Sequence, residues 1–330
     1  MNGLMLNVIA DAADAVIMNP IRHGVGFVCG WIMETAVENC SGLGSKITET
    51  INGGGVIGEA IGGEGYFQNL MLEGINVIKP VAYALCMLFF LVALLELAMS
   101  ERMTMEYMAK FFSKLVIGVA AVYYSGLFAM KAWEFGTALT TQMQNFGIGE
   151  NAGLVTVGFQ DLFIQYLDAV GGSQWLALLA ITLGIGVPIT IATLVITVVV
   201  YIICLTRLLE MMVRGIFMPI ACAMLSDDGW RGSGGRYIRK FIGICAQGAV
   251  LVVLGNITTN IMSKIVSNLK GTMTTAIQVQ IGKANSGSGE ADFSFFGKIV
   301  SSTLAIVGVA VACVSLMFKS IGIVNDAFGG

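Results

Sequence analysis

From Trp175 to Leu205 the chain runs without one charged side chain. As a helix rising 1.5 Å per residue this run is about 46 Å long, against a hydrocarbon core about 30 Å thick. It can therefore cross a bilayer, and must tilt, kink or project to do so. Gly184, Gly186 and Pro188 offer a break within it, because proline removes a backbone donor and crowds the preceding turn. Two shorter helices joined by a re-entrant turn are the other arrangement the run allows.

Further apolar runs of near-spanning length lie at about 77–99, 111–130, 241–262 and 295–318. Only 12% of the residues are charged and 56% are hydrophobic, where a soluble domain has roughly 25% charged. The expectation is an all-α fold: a polytopic membrane helical bundle of about five transmembrane helices, with amphipathic or re-entrant helices added. Residues 77–330 form the membrane domain in this reading. Residues 1–76 form an extracytoplasmic region, carrying eight acids against Arg22, Lys46 and Lys79 in the first 80 residues.

Within that region, Asp11 and Asp14 stand where a secretory signal needs basic residues. Val16 to Val37 reads either as an amphipathic helix on the membrane or as an extra span. Its Asn19, Arg22 and Glu34 favour the first, given the cost of polar groups in hydrocarbon. Ser41 to Gly65, rich in glycine, is expected to be a loop. Tyr123, Tyr124 and Trp133 are expected to mark where the second span emerges. The acid-biased stretch from Lys131 to Gln174 belongs outside. Within it Val155, Phe159, Leu162, Phe163, Tyr166 and Val170 fall at helical spacing, which predicts an amphipathic helix against the membrane or a neighbouring subunit. Ser263 to Phe293 reads as polar, with a flexible tip at KANSGSGEAD.

The segment from Thr206 to Lys240 breaks the apolar pattern. It holds Arg207, Arg214, Arg231, Arg236, Arg239 and Lys240 against Glu210, Asp227 and Asp228. Such an excess of Lys and Arg marks a cytoplasmic loop. Its centre, Ile216 to Leu225, is apolar but too short to span. The orientation that follows places the N-terminus outside and the C-terminus inside the cytoplasmic membrane. Arg236, Arg239 and Lys240 can contact phosphates of lipid or nucleic acid, and Trp230 is either an interface anchor or a partner contact.

Catalytic patterns are missing. There is no HExxH, GxSxG or GxxxxGK[ST] motif, and His23 is the single histidine. The seven cysteines are scattered without CxxC spacing, which reads as small buried hydrophobes rather than a disulfide framework or zinc site. Glu96 is the one carboxylate near the inside of a span, and reads as a helix-end acid beside Arg102 or as an ion site. Gln247 and Asn256 fit interhelical hydrogen bonds. The expectation is a protein that is no enzyme and needs no cofactor.

RLLEMMVRG, then FMPIACAMLSDDGW, then RGSGGRYIRKF and a further span resembles the TrbL-like, VirB-class polytopic subunit of type IV secretion and conjugation systems, in the versions found on mobile elements of Gram-positive bacteria. The likeness is best from about Val77 to Met262, with Pro219 and Trp230 as its clearest marks. It implies about five spans, homo-oligomers at the base of a secretion channel, and passage of a DNA–relaxase substrate driven by separate cytoplasmic ATPases. Carried onto this chain, it makes Pro219 the turn of a re-entrant segment. Trp230, Arg231, Arg236 and Arg239 become candidates for contact with those ATPases, and the long Trp175–Leu205 helix lines or supports a central passage. The charge pattern adds Arg207, Arg214 and Lys240 as candidates for contact with partners or phosphate, and Gly186 and Pro188 stay the expected kink. A small-solute permease and a purely structural membrane scaffold are the competing functions.

Overall fold

The computed structural model describes residues 19–40, 43–52, 54, 65–99, 105–144, 146, 158–170, 187–285 and 294–328. Every described element is helical: α1 (Asn19–Cys40), α2 (Leu43–Ile51), α3 (Tyr66–Met99), α4 (Met105–Gln144), α5 (Phe159–Val170), α6 (Val187–Ile216), α7 (Met218–Asp228), a 3-10 turn (Gly229–Arg231), α8 (Ser233–Asn285) and α9 (Ser294–Phe328). Five of these, α3, α4, α6, α8 and α9, are long and apolar enough to cross a membrane. The protein is thus an all-α, multi-pass membrane bundle.

The helices overrun the apolar stretches that announce them. Residues 206–214, expected in a loop, continue α6. Leu208 and Met211 recur at helical spacing and are buried, so tertiary packing carries the helix past the end of the hydropathy signal. Residues 263–285 likewise belong to α8, because Val266, Leu269, Met273 and Ile277 repeat every three or four residues and are buried. The glycine-rich stretch after Ser41 contains α2, which buries Leu43, Ile47 and Ile51 one turn apart. Trp133 does not mark an interface: only 2% exposed, it belongs to a hydrophobic core, whereas Tyr123 and Tyr124 are exposed.

The described helices form two compact units, each discontinuous in sequence. In the first, α1 packs on α5. The expected apolar face of α5 is present, with Phe159, Leu162, Phe163 and Tyr166 buried against Val25, Cys29 and Met33 of α1. Its partner is therefore within the same chain. Glu34 fixes the register: its carboxylate accepts from the Phe159 backbone N–H (3.1 Å) and from Gln160 Nε2 (2.9 Å). An anion at a helix N-terminus satisfies unpaired donors and the helix dipole together.

Close approach of these two helices needs Gly30. A Cβ there would overlap the Gln160 Cα, and one on Gly26 would meet Ile164 Cγ1 at 3.0 Å. Gly30→Ala is expected to cost about 2–3 kcal/mol, the upper part of the overpacking range, because backbone must move. Gly24→Ala on the same helix meets nothing within 4 Å and should cost nothing. Hydrogen exchange across residues 159–170 measures the difference; equal protection in the two variants would contradict the packing described.

In the second unit, α7 packs on both α3 and α4, which also pack on each other. Small residues again admit a neighbour: a Cβ on Gly136 would lie 2.6 Å from the Cys245 carbonyl oxygen, and one on Gly74 2.7 Å from the Ile216 side-chain Cγ1. Small residues replace the hydrophobic drive that lipid cannot supply between helices. Gln247 is buried and donates from Nε2 to Ser320 Oγ at 2.6 Å, an interhelical bond of the expected kind. The six described cysteines are all buried and form no disulfide with one another.

Candidate functional site

The basic segment is folded rather than looped. Phe217 alone separates α6 from α7, and its backbone N–H still bonds the Val213 carbonyl oxygen at 3.3 Å. Pro219 stands in the first turn of α7, where a missing N–H costs no intrahelical bond; the residue is buried. Pro188 lies in α6, which is described from Val187, while Gly186 lies outside the described residues.

At the other end of α7, Gly229 adopts φ +65° and ψ −161°, a region open essentially to glycine alone, and its N–H caps the Leu225 carbonyl. The chain then makes one 3-10 turn, with the Gly232 N–H bonding Gly229 O at 3.2 Å, and enters α8. Gly234 and Gly235 let α8 begin against this turn. A Cβ on Gly234 would overlap the Ala221 carbonyl oxygen, and one on Gly235 the Trp230 carbonyl oxygen. The glycines of RGSGGRYIRK therefore serve contact.

This geometry sorts the seven candidate contact residues into two groups. Arg207 and Arg214 are spent on a contact within α6. Glu210 accepts from Arg207 Nη1 and from Arg214 Nη2, the latter at 2.8 Å. The spacing i, i+3, i+7 places all three on one stripe of α6. The Arg207 side chain is 11% exposed, and its Nε is buried with no hydrogen-bond partner. Arg214 also lends its backbone carbonyl to the Tyr237 hydroxyl at 2.9 Å, tying the end of α6 to the first turns of α8. Arg239 is likewise tethered, donating from Nη2 to the Trp230 carbonyl oxygen at 3.0 Å.

The second group faces out. Trp230 is 56% exposed, and Arg231, Arg236 and Lys240 are exposed. Arg236 and Lys240, four residues apart, share a face of α8. Among the described residues no carboxylate forms an ion pair with any of these three cations. Trp230 and Arg231 thus stand on a turn fixed by glycine contacts, and Arg236 and Lys240 on the first turns of α8, which Arg239 ties back to the Trp230 carbonyl.

Sequence reasoning passed over Glu210, Tyr237, Gly229, Gly234 and Gly235. The Arg207–Glu210–Arg214 spacing was a readable signal of a helical ion-pair stripe. The glycines carried no comparable signal, since their partners are distant in sequence. Cys222 lies in the same module; burial pushes its thiol up to about 11, and neighbouring Cys86 adds to the rise. That thiol is inert near neutral pH, so cysteines introduced on the patch can be labelled without competition from it. Among the described residues no three His, Cys, Asp or Glu side chains gather as a metal site would require. The chain matches no protein-family model, no curated protein and no solved structure.

Proposed function

We propose that this protein is a homo-oligomeric, non-enzymatic channel or scaffold subunit of a conjugative type IV secretion apparatus. It sits in the cytoplasmic membrane with its N-terminus outside and its C-terminus inside. Trp230, Arg231, Arg236 and Lys240 dock the cytoplasmic ATPases that drive transfer of a DNA–relaxase substrate. The observation that carries this reading is the outward patch itself. A connection between two spans needs no folded helix, glycine-fixed turn or tethered arginine, whereas a docking surface benefits from a rigid mount for its charges. The spans and the small-residue helix contacts support a membrane role, and the resemblance over Val77 to Met262 supplies the apparatus.

Reversing the three outward charges (Arg231→Glu, Arg236→Glu, Lys240→Glu) tests it. Three interfacial charges at about 1 kcal/mol each predict a fall of about a hundred-fold or more in DNA transfer. Co-purification of the ATPases should be lost while the protein stays in the membrane at its normal level. A Ser233→Cys variant should be protected from an impermeant thiol reagent in intact cells, while Ser45→Cys is labelled. Unchanged transfer by the charge-reversed protein, or labelling of Ser233→Cys from outside, would rule the reading out.

A further inference from the structure

We infer that a groove in the second unit, bounded by α3, α4 and α7, holds the phosphoethanolamine headgroup of a membrane lipid. The groove encloses about 130 Å³. Phe89, Phe90 and Ala93 line it from α3, Leu115 from α4, and Ser226 closes it from α7. Two charges of opposite sign stand on it, Glu96 from α3 and Lys114 from α4. They occupy adjoining ends of two spans, Tyr66–Glu96 and Phe112–Gln144, the level at which a bilayer presents its headgroups.

The charges select the ligand. Glu96 has no ion pair with any described side chain, while Arg102, its expected neighbour, lies outside the described residues; a carboxylate at this place can accept from an ammonium. Lys114 carries three N–H donors, enough to meet a phosphate besides any contact it makes within the protein. A zwitterion with ammonium and phosphate a few bonds apart satisfies both. A quaternary choline head has no N–H to give Glu96 and is bulkier. A glycerol phosphate head supplies only the anion and leaves Glu96 unmet. Apolar surface flanks the charges and suits acyl chains: Leu91, Leu95 and Phe112 are 59%, 65% and 52% exposed, and the Phe112 ring packs on Phe90 with centroids 5.7 Å apart. This apolar surface favours a lipid over free phosphoethanolamine. The assignment is independent of the secretion reading.

The full-length protein in nanodiscs of mixed phosphatidylethanolamine, phosphatidylcholine and phosphatidylglycerol with identical acyl chains, followed by native mass spectrometry, tests it. The wild type should retain phosphatidylethanolamine about ten-fold over phosphatidylcholine, the worth of a hydrogen bond to a charged group. Glu96→Gln should abolish that preference without loss of helicity, because the residue is exposed. Ala93→Leu, which fills the groove without touching a charge, should reduce retention of the same lipid. Equal retention of the three lipids by the wild type, or an unchanged preference in Glu96→Gln, would overturn the assignment. Displacement by millimolar free phosphoethanolamine, with no preference among lipids, would overturn the lipid source.

Discussion

Gly235→Ala is expected to lower the stability of the folded protein by about 3 kcal/mol, at the top of the range for overpacking. The added methyl would overlap the Trp230 carbonyl oxygen, with the Trp230 carbonyl carbon at 2.7 Å. Both are backbone atoms, so no rotamer change relieves the clash. The same carbonyl anchors Arg239, so displacing it also releases the guanidinium that holds the turn. Two other glycines calibrate the effect. Gly229→Ala meets no neighbour within 4 Å but must hold φ +65°, a strain of about 1–3 kcal/mol. Gly271→Ala, within α8, meets nothing and carries no positive φ; it should gain about 0.5–1 kcal/mol from helix propensity. Thermal unfolding in one detergent should rank the variants Gly235→Ala, Gly229→Ala, wild type, Gly271→Ala from least to most stable. A Gly235→Ala protein as stable as wild type would mean that α8 does not begin where it is described.

That ranking also shows which part of the fold was legible. Apolar runs located the five membrane-length helices found among the described residues, because transfer from water to lipid acts on composition. Helix ends escaped, because the polar extensions at 206–214 and 263–285 are held by packed residues such as Leu208, Met211, Leu269 and Met273. Their signal is a period of 3.6, not a mean. Glycine was the hardest residue to read. Gly234 and Gly235 suggest a joint in sequence, yet both exist to admit a neighbouring carbonyl. Only the partner tells these uses apart, and the partner is set by tertiary structure. The site was half legible: charge bias singled out six cations, but a charge count cannot distinguish the arginines spent on Glu210 and on the Trp230 carbonyl from the cations left facing out.

Glu210 carries the second large effect. Glu210→Ala should destabilise the protein by about 2–3 kcal/mol, below the 3–5 kcal/mol seen when a wholly buried pair loses one partner. The discount reflects exposure: Glu210 and Arg214 are 28% and 33% exposed, whereas Arg207 is 11% exposed. Alanine would leave Arg207 without its only described acceptor, in a site where its Nε already lacks one. Desolvation, not lost attraction, is therefore the dominant cost, and this can be separated by experiment. If an unpaired buried charge is the problem, removing that charge as well must help: Arg207→Leu combined with Glu210→Leu should recover most of the loss. If Glu210 instead acts by holding Arg214, and through the Arg214 carbonyl the Tyr237 hydroxyl, the double variant should stay as unstable as Glu210→Ala. Tyr237→Phe, which deletes only that bond, should then reproduce much of the defect. The desolvation account predicts recovery in the first protein and a loss of about 1 kcal/mol in the last, both measurable as unfolding midpoints in one detergent. Recovery would make the stripe on α6 a stabilising device spent inside the fold, leaving Arg231, Arg236 and Lys240 as the cations available to a partner.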